Sequence, residues 1–257
     1  MANRLPALFI AHGNPMNALA NNAYTQTLTQ LGKTLATPST ILVISAHWQT
    51  LGTEVASTDK PQTIHDFGGF PPELFAQQYP AQGAPDIAKK VKQLLPNVVE
   101  NPEMGLDHGA WTVLKFLYPQ ANIPVLQLSL DYRLSPAAHY QLAQALQPLR
   151  EQGVLILGSG NIVHNLRAMD WRKIDAPPHS WAMAFDTQIQ TGLKTRNHQA
   201  LIDYLQGGEP AHLSAPTPEH YLPLLYIIAL QQADESVQFI YTGFEHASIS
   251  MLSFSVA

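Results

Sequence analysis

The sequence predicts an α/β fold, with a mostly parallel central sheet flanked by helices in a single domain over residues 1–257. Three observations carry that reading. Short continuous apolar runs alternate with longer segments of helical period, the pattern of strands connected by helices. Hydrophobic residues make up 46% of the chain and charged residues 13%, which supplies a sizeable core and excludes a disordered chain. No repeat, low-complexity tract or linker divides the 257 residues.

The runs Ala7–Ala11, Ile41–Ala46, Pro124–Leu130 and Val154–Gly158 read as buried strands. Val237–Thr242 and Ile249–Phe254 read as a late hairpin or edge pair. Helical patterns cover Tyr24–Leu35, Asp86–Leu95, Ala110–Tyr118, Pro136–Arg150, Pro178–Leu193, Asn197–Leu205 and Pro218–Gln231. Lys60–Pro85 is rich in Pro, Gly and Gln and too long for a plain connection. Its phenyl groups, Phe67 and Phe70, predict an ordered loop folded over something.

Composition removes several function classes. The net charge is −5 with no basic stripe, so nucleic acid is not an expected partner. The chain has no cysteine, which excludes disulfides, thiolate nucleophiles and Cys-ligated metals. No stretch is long enough to span a bilayer, and the N-terminus lacks the apolar core of a signal peptide. A cytoplasmic protein is expected, a monomer or small homo-oligomer. The 11 histidines nearly match the 14 lysines plus arginines, which favours an imidazole-ligated metal.

The placement of the histidines is the strongest signal. His12 follows LFIA, His47 follows ILVISA, and His164 comes shortly after VLILGSGN. Three histidines at or just beyond the carboxyl ends of predicted strands mark the edge where open α/β sheets bind ligands. Gly13-Asn14-Pro15 reads as a turn that lets backbone pass close to a ligand. Gly158-Ser159-Gly160 reads as a tight passage, but its spacing does not fit a dinucleotide loop. No G-x-S-x-G nucleophile elbow is present.

Thr217-Pro218-Glu219-His220 reads as a helix start, with Thr217 as N-cap, His220 in the first turn and a kink at Pro223. A helix N-terminus favours the neutral, metal-binding imidazole. Glu219 competes for the same role, because two histidines and a carboxylate are a common iron(II) set. His108, just before a helix, and His65, in the long loop, are further cleft candidates. His139, His179, His198, His212 and His246 read as ordinary solvent-facing residues. Trp48 and Trp111 each lie near a candidate histidine. Tryptophans so placed are more often core than substrate walls. Trp48 is nevertheless carried, with His65 and Phe70, as a candidate substrate contact.

Six motifs in order complete the picture: Ala11-His12-Gly13-Asn14-Pro15-Met16, Ser45-Ala46-His47-Trp48, Thr63 to Pro71, Asp107-His108-Gly109-Ala110-Trp111, Gly158 to Leu166, and Thr217 to Leu224. Together they resemble the DOPA-type 4,5-extradiol dioxygenases of the class III ring-cleaving superfamily, bacterial branch, from about residue 6 to the C-terminus. The resemblance implies metal ligation by His12, His47 and His220. It implies an acid–base histidine at His164, which approaches the metal and is a possible fourth ligand. It implies cavity roles for His108, also a catalytic candidate, and His65. It further implies one divalent metal per chain, zinc as isolated or iron(II) for activity, and a catechol and O₂ as partners. The expected reaction opens a DOPA-like ring to a muconate semialdehyde. Two alternatives stand beside it: a zinc-dependent hydrolase on the same three histidines, and a non-catalytic metal-binding protein.

Overall fold

The computed structural model describes residues 4–257. Its strands are β1 (Ala7–Ala11), β2 (Thr40–Thr50), β3 (Glu54–Ala56), β4 (Val99–Asn101), β5 (Val125–Asp131), β6 (Val154–Gly160), β7 (Val237–Tyr241), β8 (Phe244–Glu245), β9 (Ile249–Ser250) and β10 (Ser253–Val256). Its helices are α1 (Ala23–Thr34), α2 (Pro72–Phe75), α3 (Pro85–Leu94), α4 (His108–Leu117), α5 (Pro136–Gln144), α6 (Gln147–Glu151), α7 (Ser180–Lys194), α8 (His198–Ile202), α9 (Glu209–Ser214) and α10 (Leu222–Ala229).

Eight strands form one sheet in the order β4-β3-β5-β2-β6-β1-β10-β7. The central four, β5-β2-β6-β1, are parallel. β1, β5 and β6 are buried along their whole length, as expected of strands covered by helices on both faces. Two hydrophobic clusters lie on the two faces of the sheet. One is built on α10 and α7, the other on α1 and α4. The predicted α/β layer architecture is the one observed, as a single domain. No helix among the described residues is long and apolar enough to cross a membrane.

Several expectations need correction, each for a tertiary reason. The late pair is more elaborate than a hairpin. β10 inserts antiparallel between β1 and β7, while Ile249–Ser250 pairs separately with Phe244–Glu245. The short strands β3 and β4 extend the far edge, where three-residue pairings leave almost no sequence pattern. Pro136–Arg150 is two helices, because Gln147 begins a new one with a proline in its first turn. The last helix starts at Leu222. Pro223 therefore sits in its first turn, where proline is tolerated, and does not kink it.

His139 is fully buried. It lies on α5, with its Nδ1 3.0 Å from the Tyr226 hydroxyl of α10. His246 is also buried, and His179 and His198 are half-buried, leaving His212 the one exposed member of that group. Burial lowers the His139 imidazole to about 4. Between about pH 4 and the ordinary imidazole value of ~6.5 the unfolded chain then binds a proton that the folded protein excludes. In that window stability rises with pH. The metal-free protein should therefore weaken as pH falls from about 6.5 toward 4, by up to ~1.4 kcal/mol per pH unit for each such histidine. Urea unfolding at pH 7 and pH 5 checks this; an unchanged midpoint would contradict it.

Candidate metal centre

Three of the central strands deliver the site. β1 ends at Ala11 and presents His12, β2 carries His47 past its bulge, and β6 ends beside the turn that carries His220. Gly13 holds φ at +62°, a left-handed conformation that turns the chain away just after His12. Gly160 serves close approach: a Cβ there would lie 2.2 Å from the His220 carbonyl oxygen, which accepts the Asn161 N–H at 2.9 Å. The Gly-Ser-Gly passage thus seats the His220 turn against the sheet and cradles no phosphate. His220 lies in the turn before α10, so its orientation comes from that seating.

Hydrogen bonds fix the tautomers of His12 and His220. Ser159 Oγ donates to the Gly109 carbonyl at 2.6 Å and so must accept from His12 Nδ1 at 2.9 Å. His47 Nδ1 faces the Asp66 carboxylate at 3.5 Å. His220 Nδ1 donates to Glu219 Oε1 at 3.0 Å, and that oxygen also accepts from the Thr217 hydroxyl at 2.8 Å. With Nδ1 of His12 and His220 protonated, their Nε2 atoms carry lone pairs, and the Asp66 carboxylate beside His47 Nδ1 favours the same tautomer there. His12 Nε2 and His47 Nε2 stand 3.1 Å apart, and buried His220 Nε2 has no hydrogen-bond partner among the described residues. The ligand atoms of His12, His47 and His220 all lie within 4.8 Å of one another.

Lone pairs aimed at one another repel unless a cation lies between them, so the donor set suits a divalent metal. Imidazoles held from behind by carboxylates or hydroxyls are the usual outer support of such sites. Burial first, and then the neighbouring imidazoles, hold His12 and His220 well below the ordinary histidine range. Burial likewise lowers His47. All three are therefore neutral near pH 7, the state a metal requires. Glu219 faces Nδ1 of His220, and no carboxylate shares the cluster of the three histidines. Glu219 bonds His220 from behind and does not join the group of three.

His164 stacks on His220 with ring centroids 3.5 Å apart and planes 6° apart. Burial, and then the neighbouring His108, lower it to about 4. His108 opens α4, behind an Asp107 cap. Its backbone N–H and its Nδ1 donate to the two oxygens of Asp66 at 2.9 and 3.0 Å. Burial alone would raise the Asp66 carboxyl, but the hydrogen bonds from His108 outweigh it and hold the group at about 2. Asp66 thus clamps His108 and faces His47 at once. Sequence reasoning carried Asp66 only within the Thr63 to Pro71 motif, and Ser159 only within the Gly158-Ser159-Gly160 passage. No local signal marked either role, because each partner lies far away in sequence.

These histidines floor a cavity of about 230 Å³, walled by Phe67 and Phe70 from the long loop and by Leu166, Met169, Trp171 and Ile249 opposite. Among the described residues, no Lys or Arg lines it. Phe70 is where it was expected. His65 is not: its Nε2 bonds the Gln77 carbonyl at 2.9 Å, and its ring packs between Phe67, Phe75 and Trp111, behind the wall. Trp48 is buried and does not line the cavity either.

Ser159 yields a specific expectation. Ser159→Ala removes the acceptor that fixes the His12 tautomer, and zinc affinity should drop by about 10–100-fold with the fold intact. Competition titration against a chelator measures it; unchanged affinity would show that the tautomer needs no such support.

The comparisons with known proteins agree with this geometry. Residues 6–256 match the family described as the catalytic LigB subunit of aromatic ring-opening dioxygenase. The 4,5-DOPA dioxygenase extradiol of Escherichia coli K12 is 42% identical, covering 99% of this chain and 96% of that protein. The protein of the same name from Beta vulgaris is 35% identical, covering 96% and 94%. A crystal structure of an uncharacterized protein from Escherichia coli K12 superposes with a TM-score of 0.87 at 40% identity, covering 99% of this chain and 100% of the other. The chain belongs to the LigB family of aromatic ring-opening dioxygenases. Within it, the chain is an extradiol ring-cleaving enzyme of the 4,5-DOPA dioxygenase type, acting on a small molecule with O₂.

Proposed function

We propose that this enzyme opens a single-ring catechol with a small polar substituent, such as DOPA, by extradiol cleavage to a muconate semialdehyde. His12, His47 and His220 would hold one divalent metal, iron(II) in the active form. The observation that carries the reading is the convergence of three lone-pair nitrogens at the floor of a cavity walled by two phenyl rings. When bound, the metal supplies a Lewis acid for the catechol oxygens and, as iron(II), an electron for O₂ chemistry.

The chain's own residues do the rest. Phe67 and Phe70 flank the ring and exclude water. His164, neutral at pH 7, accepts a proton from a catechol hydroxyl and returns one later in the reaction. His108 is a second proton acceptor: Asp66 holds its Nδ1–H, so the lone pair is on Nε2, and the carboxylate stabilises the cation that forms. A cytoplasmic enzyme with a catechol and O₂ as its partners belongs to the same proposal. Among the described residues no tyrosine lines the cavity, which fits iron(II) rather than the tyrosinate-supported iron(III) of intradiol enzymes.

An all-imidazole site also suits zinc, which binds such ligands more tightly than iron(II). The isolated protein should therefore carry zinc and be nearly inactive, and anaerobic reloading with iron(II) should restore O₂ uptake. Equal oxygenase activity in the zinc and iron forms would refute this assignment. Metal-dependent turnover without O₂ would favour the hydrolase.

A further inference from the structure

Beside the metal cavity lies a second compartment, of about 410 Å³. The two share Asn14, Phe70 and Trp171 in their linings, so the second space adjoins the one over the histidines. We propose that this compartment receives the catechol's substituent and selects a short, net-neutral group that carries both a hydrogen-bond donor and an acceptor, as an α-amino acid does. The proposal rests on the ring-cleavage reading above and adds to it the residues that choose among catechols.

The compartment offers two uncommitted polar atoms. Asn14 Oδ1 accepts the Met16 N–H at 2.9 Å, which leaves its amide Nδ2 as a donor without a partner among the described residues. His246 Nδ1 faces the Asp170 carbonyl at 2.9 Å and must donate to it, which leaves Nε2 as an acceptor. One atom suits a carboxylate and the other an ammonium. The remaining lining is largely apolar, from Met16, Leu19 and Ile174. Glu245 lies beneath, but its two oxygens are taken by the Asn17 amide at 3.1 and 2.9 Å.

His246 is held in place at a cost. It and Ala247 have φ of +51° and +66°, left-handed values that side chains other than glycine seldom adopt. The strain persists because the turn is pinned to the facing segment. His246 N–H donates to Ile174, Asp170 N–H to His246, and His179 N–H to Ala247. Strain held in this way is common where a side chain must be aimed at a ligand. Among the described residues no Lys or Arg lines the compartment, although Arg172 and Lys173 follow Trp171 in the chain. A purely anionic substituent would find no counter-ion there.

The test compares kcat/KM of the iron(II) enzyme on DOPA, on its propanoate analogue lacking the amine, and on 4-methylcatechol. Kd values of the same compounds for the zinc-loaded protein give a second readout. His246→Gly keeps a backbone that tolerates positive φ and removes the acceptor. It should lower the DOPA to 4-methylcatechol ratio by about tenfold, in both kcat/KM and affinity. Ile174→Arg alters a half-exposed side chain and adds the missing cation. It should raise the propanoate to DOPA ratio by about tenfold. Ratios within about twofold of wild type in both variants overturn the proposal. So does a wild-type enzyme that handles all three compounds equally. If no catechol is turned over while zinc-loaded protein binds DOPA with the His246-dependent preference, the ring-cleavage reading fails and the compartment stands.

Discussion

Alanine at His12, His47 or His220 should each strip the protein of its metal. Each replacement removes one of three convergent nitrogens, and two neutral imidazoles cannot enclose a divalent ion in a buried site. The loss of affinity should exceed the ~10–100-fold typical of removing an outer hydrogen-bond partner. Glu219→Ala supplies the contrast, because Glu219 supports His220 through Nδ1 and should cost only that smaller factor. Metal content after equilibration with zinc and dialysis distinguishes them. Full metal in His220→Ala together with an empty Glu219→Ala would reverse the two roles and restore a carboxylate ligand.

The second large effect is kinetic. His164→Ala should keep its metal and still bind catechol, yet lose O₂-dependent turnover by about 10²–10⁴-fold, the usual contribution of a general acid–base group. The geometry supports the separation: His164 stacks on His220 and is not a member of the converging set. Metal analysis and single-turnover kinetics on the same preparation report both quantities. If metal disappears with the side chain, His164 is a fourth ligand. The acid–base role would then pass to His108, whose Asp66 clamp prepares it for proton transfer.

Much of the site was legible because it sits where strands end. The apolar runs before His12 and His47 mark buried parallel strands, and the residues that follow such strands face the ligand edge of the sheet. What was not legible came from contacts distant in sequence. Asp66 reaches His108 across 42 positions, and Ser159 reaches His12 across 147. His65 sits in the right motif but turns its ring nitrogen to Gln77, which only the folded loop reveals. His139 was misjudged because a helix face is exposed or buried according to what packs on it, and here α10 does. The Thr217–His220 segment reads as a helix start by its residue types. Its hydroxyl and carboxylate instead hold an imidazole, and the helix begins at Leu222.

The central claim is extradiol cleavage at this three-histidine centre, and O₂ stoichiometry with product identification tests it most directly. Iron(II)-loaded enzyme supplied with DOPA should consume one O₂ per catechol and form a yellow semialdehyde. A colourless muconic diacid, or product formed without O₂ consumption, would contradict the account.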